Sequence, residues 1–159
     1  MQKRCIFRYI LSDAWMQPIS QIEVFEDEES GSVRGHLGWE PIFFDEEGIK
    51  KDSSFEIALN QSDIEQIKTL MIQYLVKFSD IELEITGVFD GVINFFEFSP
   101  KDTVSNKITA FNLWAFREDS GVDILGEPPY KGKRLLRLYD DIAAILLKNN
   151  VSENYLRIG

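Results

Sequence analysis

The chain has few of the residues from which catalytic and metal sites are usually built. Its 159 residues include a single His, His36, and a single Cys, Cys5. One imidazole cannot form a two-histidine metal site, and the sequence contains neither a recognisable catalytic triad nor a phosphate-binding glycine loop. We therefore expect no enzymatic activity, no cofactor and no bound metal. The lone cysteine cannot form an internal disulfide, which favours a reducing, cytoplasmic location.

Long apolar runs are also missing. The longest strongly apolar run covers residues 142–147, far below the ~20 residues that cross a bilayer. The N-terminus has no continuous apolar stretch and no small-residue cleavage site, so we expect neither a signal peptide nor a membrane span. Hydrophobic residues nevertheless make up 44% of the chain and aromatic residues 13%. That composition is ample for a packed core, and the length predicts a single domain over residues 1–159.

Acidic residues dominate the charge. The chain carries 27 Asp and Glu against 17 Lys and Arg, for a formal net charge of −10. Part of the acid falls in two tight runs, residues 26–29 and 45–47. A negative field of this size repels nucleic acids and anionic membranes and attracts basic proteins. An acidic surface that serves only solubility is the alternative interpretation of each run.

Two helices are predicted from apolar residues at helical spacing. Ser62 and Glu65 match a capping box, which predicts a first helix over about 63–77. The second helix follows Pro128 and Pro129 and ends at the pair 149–150.

The remaining pattern predicts strands. Alternating apolar and polar residues indicate strands in both halves of the chain, with a tight hairpin turn at residues 90–91. The predicted strands are 5–10, 21–26, 33–37 and 55–59 in the first half. In the second half they are 81–85 with the adjoining 86–89, then 92–96, 107–116 and 122–125. The order is an α+β fold of two mainly antiparallel strand runs, each followed by a helix (ββββ-α-ββββ-α). The pattern suggests two pseudo-repeated halves, 1–79 and 80–159, with each helix covering one face of a sheet.

Candidate binding residues come from the acid runs and from one tryptophan. Trp39 lies between Gly38 and Glu40, just before the second run, and aromatic anchors beside charge often concentrate binding energy. Trp114, by contrast, is predicted to lie mid-strand in the core. The predicted partner-binding residues are Asp27, Glu28, Glu29, Trp39, Asp45, Glu46 and Glu47.

One basic cluster runs against the acidic trend. It lies at the start of the second predicted helix and consists of Lys131, Lys133, Arg134 and Arg137. Helix N-termini favour anions, so the cluster keeps open an anion- or nucleic-acid-binding domain. The alternative is that these bases balance nearby acids. A carboxylate enzyme also stays open, because so many acids supply candidate pairs.

The order of strands and helices over the whole chain resembles the whirly architecture. That family includes plant single-stranded DNA-binding proteins, and a similar architecture is known for an immunity protein of contact-dependent growth inhibition. The DNA-binding members carry a KGKAAL-like motif in their first sheet, whereas the similar segment here, residues 131–136, precedes the second helix. The resemblance therefore implies a bacterial immunity protein that occludes the active site of a cationic toxin, expected to be a nuclease domain. Its oligomeric state stays open.

Overall fold

A computed structural model describes residues 3–38, 53–75, 91–117 and 129–159 of the chain. Within these ranges six antiparallel strands form one sheet, in the order β4-β3-β2-β1-β5-β6. Four strands come from the first half of the chain and two from the second. The strands are β1 (Arg4–Ser12), β2 (Pro18–Glu26), β3 (Gly31–Leu37), β4 (Ser53–Leu59), β5 (Ile93–Lys101) and β6 (Val104–Phe111).

Two helices, α1 (Gln61–Leu75) and α2 (Pro129–Lys148), complete an α+β fold. Both lie on the same face of the sheet, which we call the inner face; the other is the outer face. The ring of Tyr139 in α2 lies 4.7 Å from that of Tyr9 in β1 and 5.7 Å from that of Phe96 in β5. One continuous core therefore forms between the inner face and the helices. None of the helices in the described ranges is long and apolar enough to cross a membrane.

The first helix starts two residues earlier than predicted. The Oδ1 atom of Asn60 accepts the backbone N–H of Asp63 at 2.8 Å, so Asn60 caps the helix and the predicted Ser62 cap is wrong. The Asp63 carboxylate, only 4% exposed, binds Lys148 at 3.1 Å and Asn149 at 3.0 Å. These contacts fasten the start of α1 to the end of α2.

The predicted end of the second helix is confirmed. Asn150 adopts the left-handed conformation with φ 68°, a common way for helices to end. The backbone N–H of Val151 donates to the carbonyl of Leu146 at 3.1 Å, and that of Asn150 to the carbonyl of Leu147 at 3.0 Å. Because Val151 is buried, this cap directs the C-terminal residues back into the core.

The four strands predicted in the first half are confirmed, but the long strand over 107–116 is wrong. Strand β6 ends at Phe111, because Asn112 adopts a left-handed conformation with φ 55°. The chain then forms a 3-10 helix, Leu113–Phe116. Trp114 is accordingly half-buried in that helix rather than in a strand. The strands predicted over 81–85, 86–89 and 122–125 lie outside the described residues.

The C-terminal residues cross the inner face as a tail. Buried Asn94 of β5 holds this tail by donating from Nδ2 to the carbonyl of Ile158 at 3.1 Å and to the Tyr9 hydroxyl at 3.0 Å. The Tyr9 hydroxyl in turn donates to the carbonyl of Arg157 at 2.7 Å. A side chain on Gly35 would collide with the ring of Phe55 in β4 and with that of Tyr155 in the tail, so a glycine is needed where these two rings pack against β3.

Candidate functional site

The first predicted acid run begins with a structural residue. Glu26 is the last residue of β2, and its carboxylate binds Arg4 at 2.6 Å and Lys68 of α1 at 2.9 Å. Its side chain is 16% exposed. Glu26 therefore joins the sheet to the first helix.

This ion-pair cluster makes stability depend on pH. Burial raises the pKa of Glu26, but hydrogen bonds from Lys68 and Arg4 outweigh it and hold the pKa below its ordinary value. A carboxyl whose pKa falls on folding stabilises the fold above its unfolded-state pKa of about 4.3, and that stabilisation is lost as pH falls through the folded-state pKa. We expect Glu26→Gln to destabilise the protein at neutral pH, with a difference from wild type that shrinks as pH falls below the unfolded-state pKa and through the lower folded-state pKa. Urea unfolding at several pH values measures this, and a constant difference would contradict it.

Asp27, Glu28 and Glu29 form the turn between β2 and β3. The Asp27 carboxylate accepts the backbone N–H of Ser30 at 2.8 Å and that of Glu29 at 3.0 Å. These hydrogen bonds hold the pKa of Asp27 below its ordinary value. Asp27 thus stabilises the turn, while Glu28 and Glu29 are exposed at its tip. Of the three predicted residues here, two present their carboxylates to solvent.

A groove runs beside this turn. It has a volume of about 580 Å³ and is bounded by the turn, the start of α1 and the β5–β6 turn. Its charged lining is mixed, with five acids and three bases. The acids are Glu26, Asp27, Glu28, Glu65 and Asp102, and the bases are Lys3, Arg4 and Lys68. Three of these acids already bind bases of the groove, so it carries only a modest acid excess.

The other predicted binding residues, Trp39, Asp45, Glu46 and Glu47, lie outside the described residues. Their described neighbours are Gly38 and Ser53. In the strand register Leu37 pairs with both Ser20 and Ser53, so this junction lies at the end of the sheet opposite the β2–β3 turn. Strand β3 has 7 residues, which places the two ends roughly 20 Å apart.

The outer face carries one charged residue per strand in a single row, with signs that alternate from edge to edge. From β4 to β6 the row is Glu56, Arg34, Glu23, Arg8, Glu97 and Lys107. Central Glu23 is 6% exposed and binds Arg34 at 3.0 Å and Arg8 at 2.9 Å. Arg8 also binds Glu97 at 3.1 Å. The row is neutral as a whole, so this face carries no part of the acid excess.

The basic cluster of α2 is only partly exposed to solvent. Lys133 and Arg137 are exposed, whereas Arg134 is half-buried with its guanidinium 5.4 Å from the ring centre of Tyr74. The side chain of Lys131 lies outside the described residues. Arg134 therefore packs against α1, which leaves two described bases of the cluster facing solvent.

Charge is distributed unevenly along the chain. Outside three segments of the sequence the chain carries 14 of its 27 acids and 14 of its 17 bases, which balance each other. The other 13 acids and 3 bases fall in residues 39–52, 76–90 and 118–128, which we call the acid-rich segments. The entire net charge of −10 therefore belongs to these segments.

Neither the models of protein families nor the curated proteins include a match for this chain. The site must therefore be interpreted from its own residues. Within the described ranges, no three of the His, Cys, Asp and Glu side chains are grouped so that they could hold a metal ion.

Sequence reasoning missed one pair of surface residues. Trp15 and Met16 of the β1–β2 turn are 86% and 62% exposed, the two highest values among the large hydrophobic residues that the structure describes. Composition and periodicity offered no signal for them, because a tryptophan near an apolar strand usually belongs to the core. The turn that exposes them becomes visible only with the pairing of β1 and β2.

Proposed function

We propose that this chain is a non-catalytic inhibitor that binds a cationic protein toxin, as an immunity protein of a contact-dependent growth inhibition system does. The observation that carries the proposal is the concentration of acid along the sequence: the acid-rich segments hold 13 acids against 3 bases, whereas acids and bases balance in the rest of the chain. A concentrated excess favours electrostatic recognition of a basic surface.

A nuclease domain fits this electrostatic pattern as the partner. Its active site must be positive to bind phosphate, so carboxylates can occupy the same positions as the substrate's phosphates. The inhibitor would act in a one-to-one complex and block the path of the nucleic acid. Long-range attraction between opposite net charges raises the association rate and makes it depend on salt.

The whirly-like order of strands and helices stays a prediction for this chain. In the described ranges the order is four strands, a helix, two strands and a helix. The whirly-like order needs further strands in the second half, where the predictions lie outside the described residues. The division into halves at residue 79 and the cytoplasmic location likewise stay predictions.

The proposal is tested with the polypeptide encoded immediately upstream of this chain. Its C-terminal domain, made with an inactivating substitution, is called here the neighbour domain. We expect calorimetry to give a one-to-one complex, and the chain to suppress nuclease activity of the unsubstituted domain at equal concentration.

Two controls separate specific inhibition from general attraction. Lysozyme, an unrelated basic protein, should bind at least ~100-fold more weakly than the neighbour domain, since a positive net charge by itself gives little specificity. The absence of a complex at micromolar concentration would overturn the proposal. Tight binding of single-stranded DNA would instead favour the anion-binding alternative based on Lys131, Lys133, Arg134 and Arg137.

A further inference from the structure

We propose that the β1–β2 turn is the apolar anchor of the interface, and that Trp15 and Met16 insert into a pocket on the basic partner. The inference rests on the proposed function and names the part of the surface that would carry most of its binding energy. Two large apolar side chains at the tip of one turn, 86% and 62% exposed, contribute little to the core. Tryptophan is among the residues most enriched where interfaces concentrate energy.

The turn is held rigidly in one conformation. The Asp13 carboxylate accepts the backbone N–H groups of Trp15 and Gln17, both at 2.9 Å. The backbone N–H of Asp13 donates to the carbonyl of Gln17 at 3.0 Å, and that of Met16 to the carbonyl of Asp13 at 3.1 Å. Because the tip is already ordered, binding would lose little conformational entropy there.

Met16 occupies a backbone position that suits a different residue. Its φ is 66°, in the left-handed region where hairpin turns strongly favour Gly or Asn. An unbranched thioether on an exposed tip gains almost no packing in return for this strain. A strained residue that does not stabilise the fold points to a functional role such as binding.

The position of the turn in the sheet and the charge of the chain indicate which kind of partner the turn would bind. In the register Ser12 pairs with Pro18 and with Ile93, so the turn lies at the end of the sheet where β5 begins. Gly38 is at the same end, since its backbone N–H donates to the carbonyl of Ile19 at 2.8 Å. Segments 39–52 and 76–90, which join the sheet at this end, hold nine acids and three bases.

An exposed apolar tip on a chain with a net charge of −10 fits a protein surface with an apolar pocket and a basic rim. This arrangement matches the usual anatomy of interfaces, where a desolvated centre is surrounded by charge. An anionic membrane, the other common target of an exposed tryptophan, would be repelled by the same acids.

The test measures affinity for the neighbour domain and melting temperature for three variants. We expect Trp15→Ala to weaken binding about thirtyfold and leave the melting temperature unchanged. Met16→Gly should weaken binding about fivefold while raising the melting temperature, because glycine relieves the positive φ. Leu147→Ala, at an apolar residue 43% exposed on α2, is the matched control and should bind within twofold of wild type.

The outcomes separate the inference from the proposed function. If wild type binds the neighbour domain and Trp15→Ala binds equally well, the anchor is wrong and the proposed function stands. If wild type does not bind, both are wrong. Binding of wild type to phosphatidylglycerol vesicles that Trp15→Ala abolishes would assign the turn to a membrane surface and overturn the inference.

Discussion

Replacing Asn94 with Ala is expected to lower the free energy of unfolding by about 3 kcal/mol or more. Asn94 is fully buried, and its amide makes three hydrogen bonds: it accepts the backbone N–H of Leu113 at 3.0 Å and donates to the Tyr9 hydroxyl and the Ile158 carbonyl. The variant leaves a buried N–H and a buried carbonyl without partners, at about 1–3 kcal/mol each, and adds a cavity. Urea unfolding measures the change.

Asn154→Ala is the matched control for this substitution. Asn154 is an exposed asparagine of the 3-10 helix Glu153–Tyr155, so its replacement should change stability by no more than about 0.5 kcal/mol. A loss below about 1 kcal/mol for Asn94→Ala would mean that water or a shift of the tail restores the missing hydrogen bonds.

The large expected effect reflects how many parts of the fold this network joins. Asn94 connects β5, β1, the 3-10 helix after β6 and the C-terminal tail. The Tyr139 hydroxyl of α2 adds a second attachment by donating to the carbonyl of Leu156 at 2.7 Å. Burial raises the pKa of both Tyr9 and Tyr139, so these hydroxyls keep their protons and remain donors.

The helices were predictable because their signals are local, but the start of α1 shows the limit of such signals. Both Asn60 with Asp63 and Ser62 with Glu65 match the spacing of a capped helix start. The structure uses Asn60, and it places Asp63 against Lys148 and Asn149 of α2. A contact between residues more than 80 positions apart is invisible to a local pattern.

The strands show the same division between local and distant causes. Alternation predicted β2, β3 and β4 well, yet it also carried the long strand through Asn112 to Phe116. The chain turns at Asn112 because two hydrogen bonds fix this point. The backbone N–H of Leu113 donates to the Asn94 side chain, and the backbone N–H of Asn112 donates to the Val92 carbonyl at 2.9 Å. The charge row likewise needs the pairing of all six strands before its alternation can be seen.

The structure locates only part of the predicted binding surface. Acid runs indicated a basic partner, but the structure shows that Asp27 stabilises its own turn and that the sheet places the described neighbours of the second run at the opposite end. The exposed Trp15 was not selected, because burial depends on the turn geometry that β1 and β2 create together. Charge reversal tests which end of the sheet, that of the β2–β3 turn or that of the β1–β2 turn, binds the proposed partner.

Reversing the second acid run should have the largest effect on binding. Asp45→Lys, Glu46→Lys and Glu47→Lys together change the net charge from −10 to −4, since each replacement adds two units. We expect this triple variant to weaken binding of the neighbour domain about a hundredfold at low salt and to flatten the salt dependence of the association rate. The reason is that this run belongs to an acid-rich segment joined to the Trp15 end of the sheet.

Comparison with the first run tests whether place matters as well as charge. Glu28→Lys and Glu29→Lys alter two exposed acids at the opposite end, and together they should weaken binding by less than about tenfold through the long-range field alone. Glu153→Lys, a single reversal at an exposed residue, controls for net charge and should do little. The variants at Glu28, Glu29 and Glu153 should keep the wild-type melting temperature, since substitutions at exposed residues change stability by about ±0.5 kcal/mol. The melting temperature of the triple variant is measured beside theirs to show that it is folded. If both runs lose the same affinity per charge reversed, binding responds to net charge alone. A larger loss of affinity for the first run would place the interface at the β2–β3 turn.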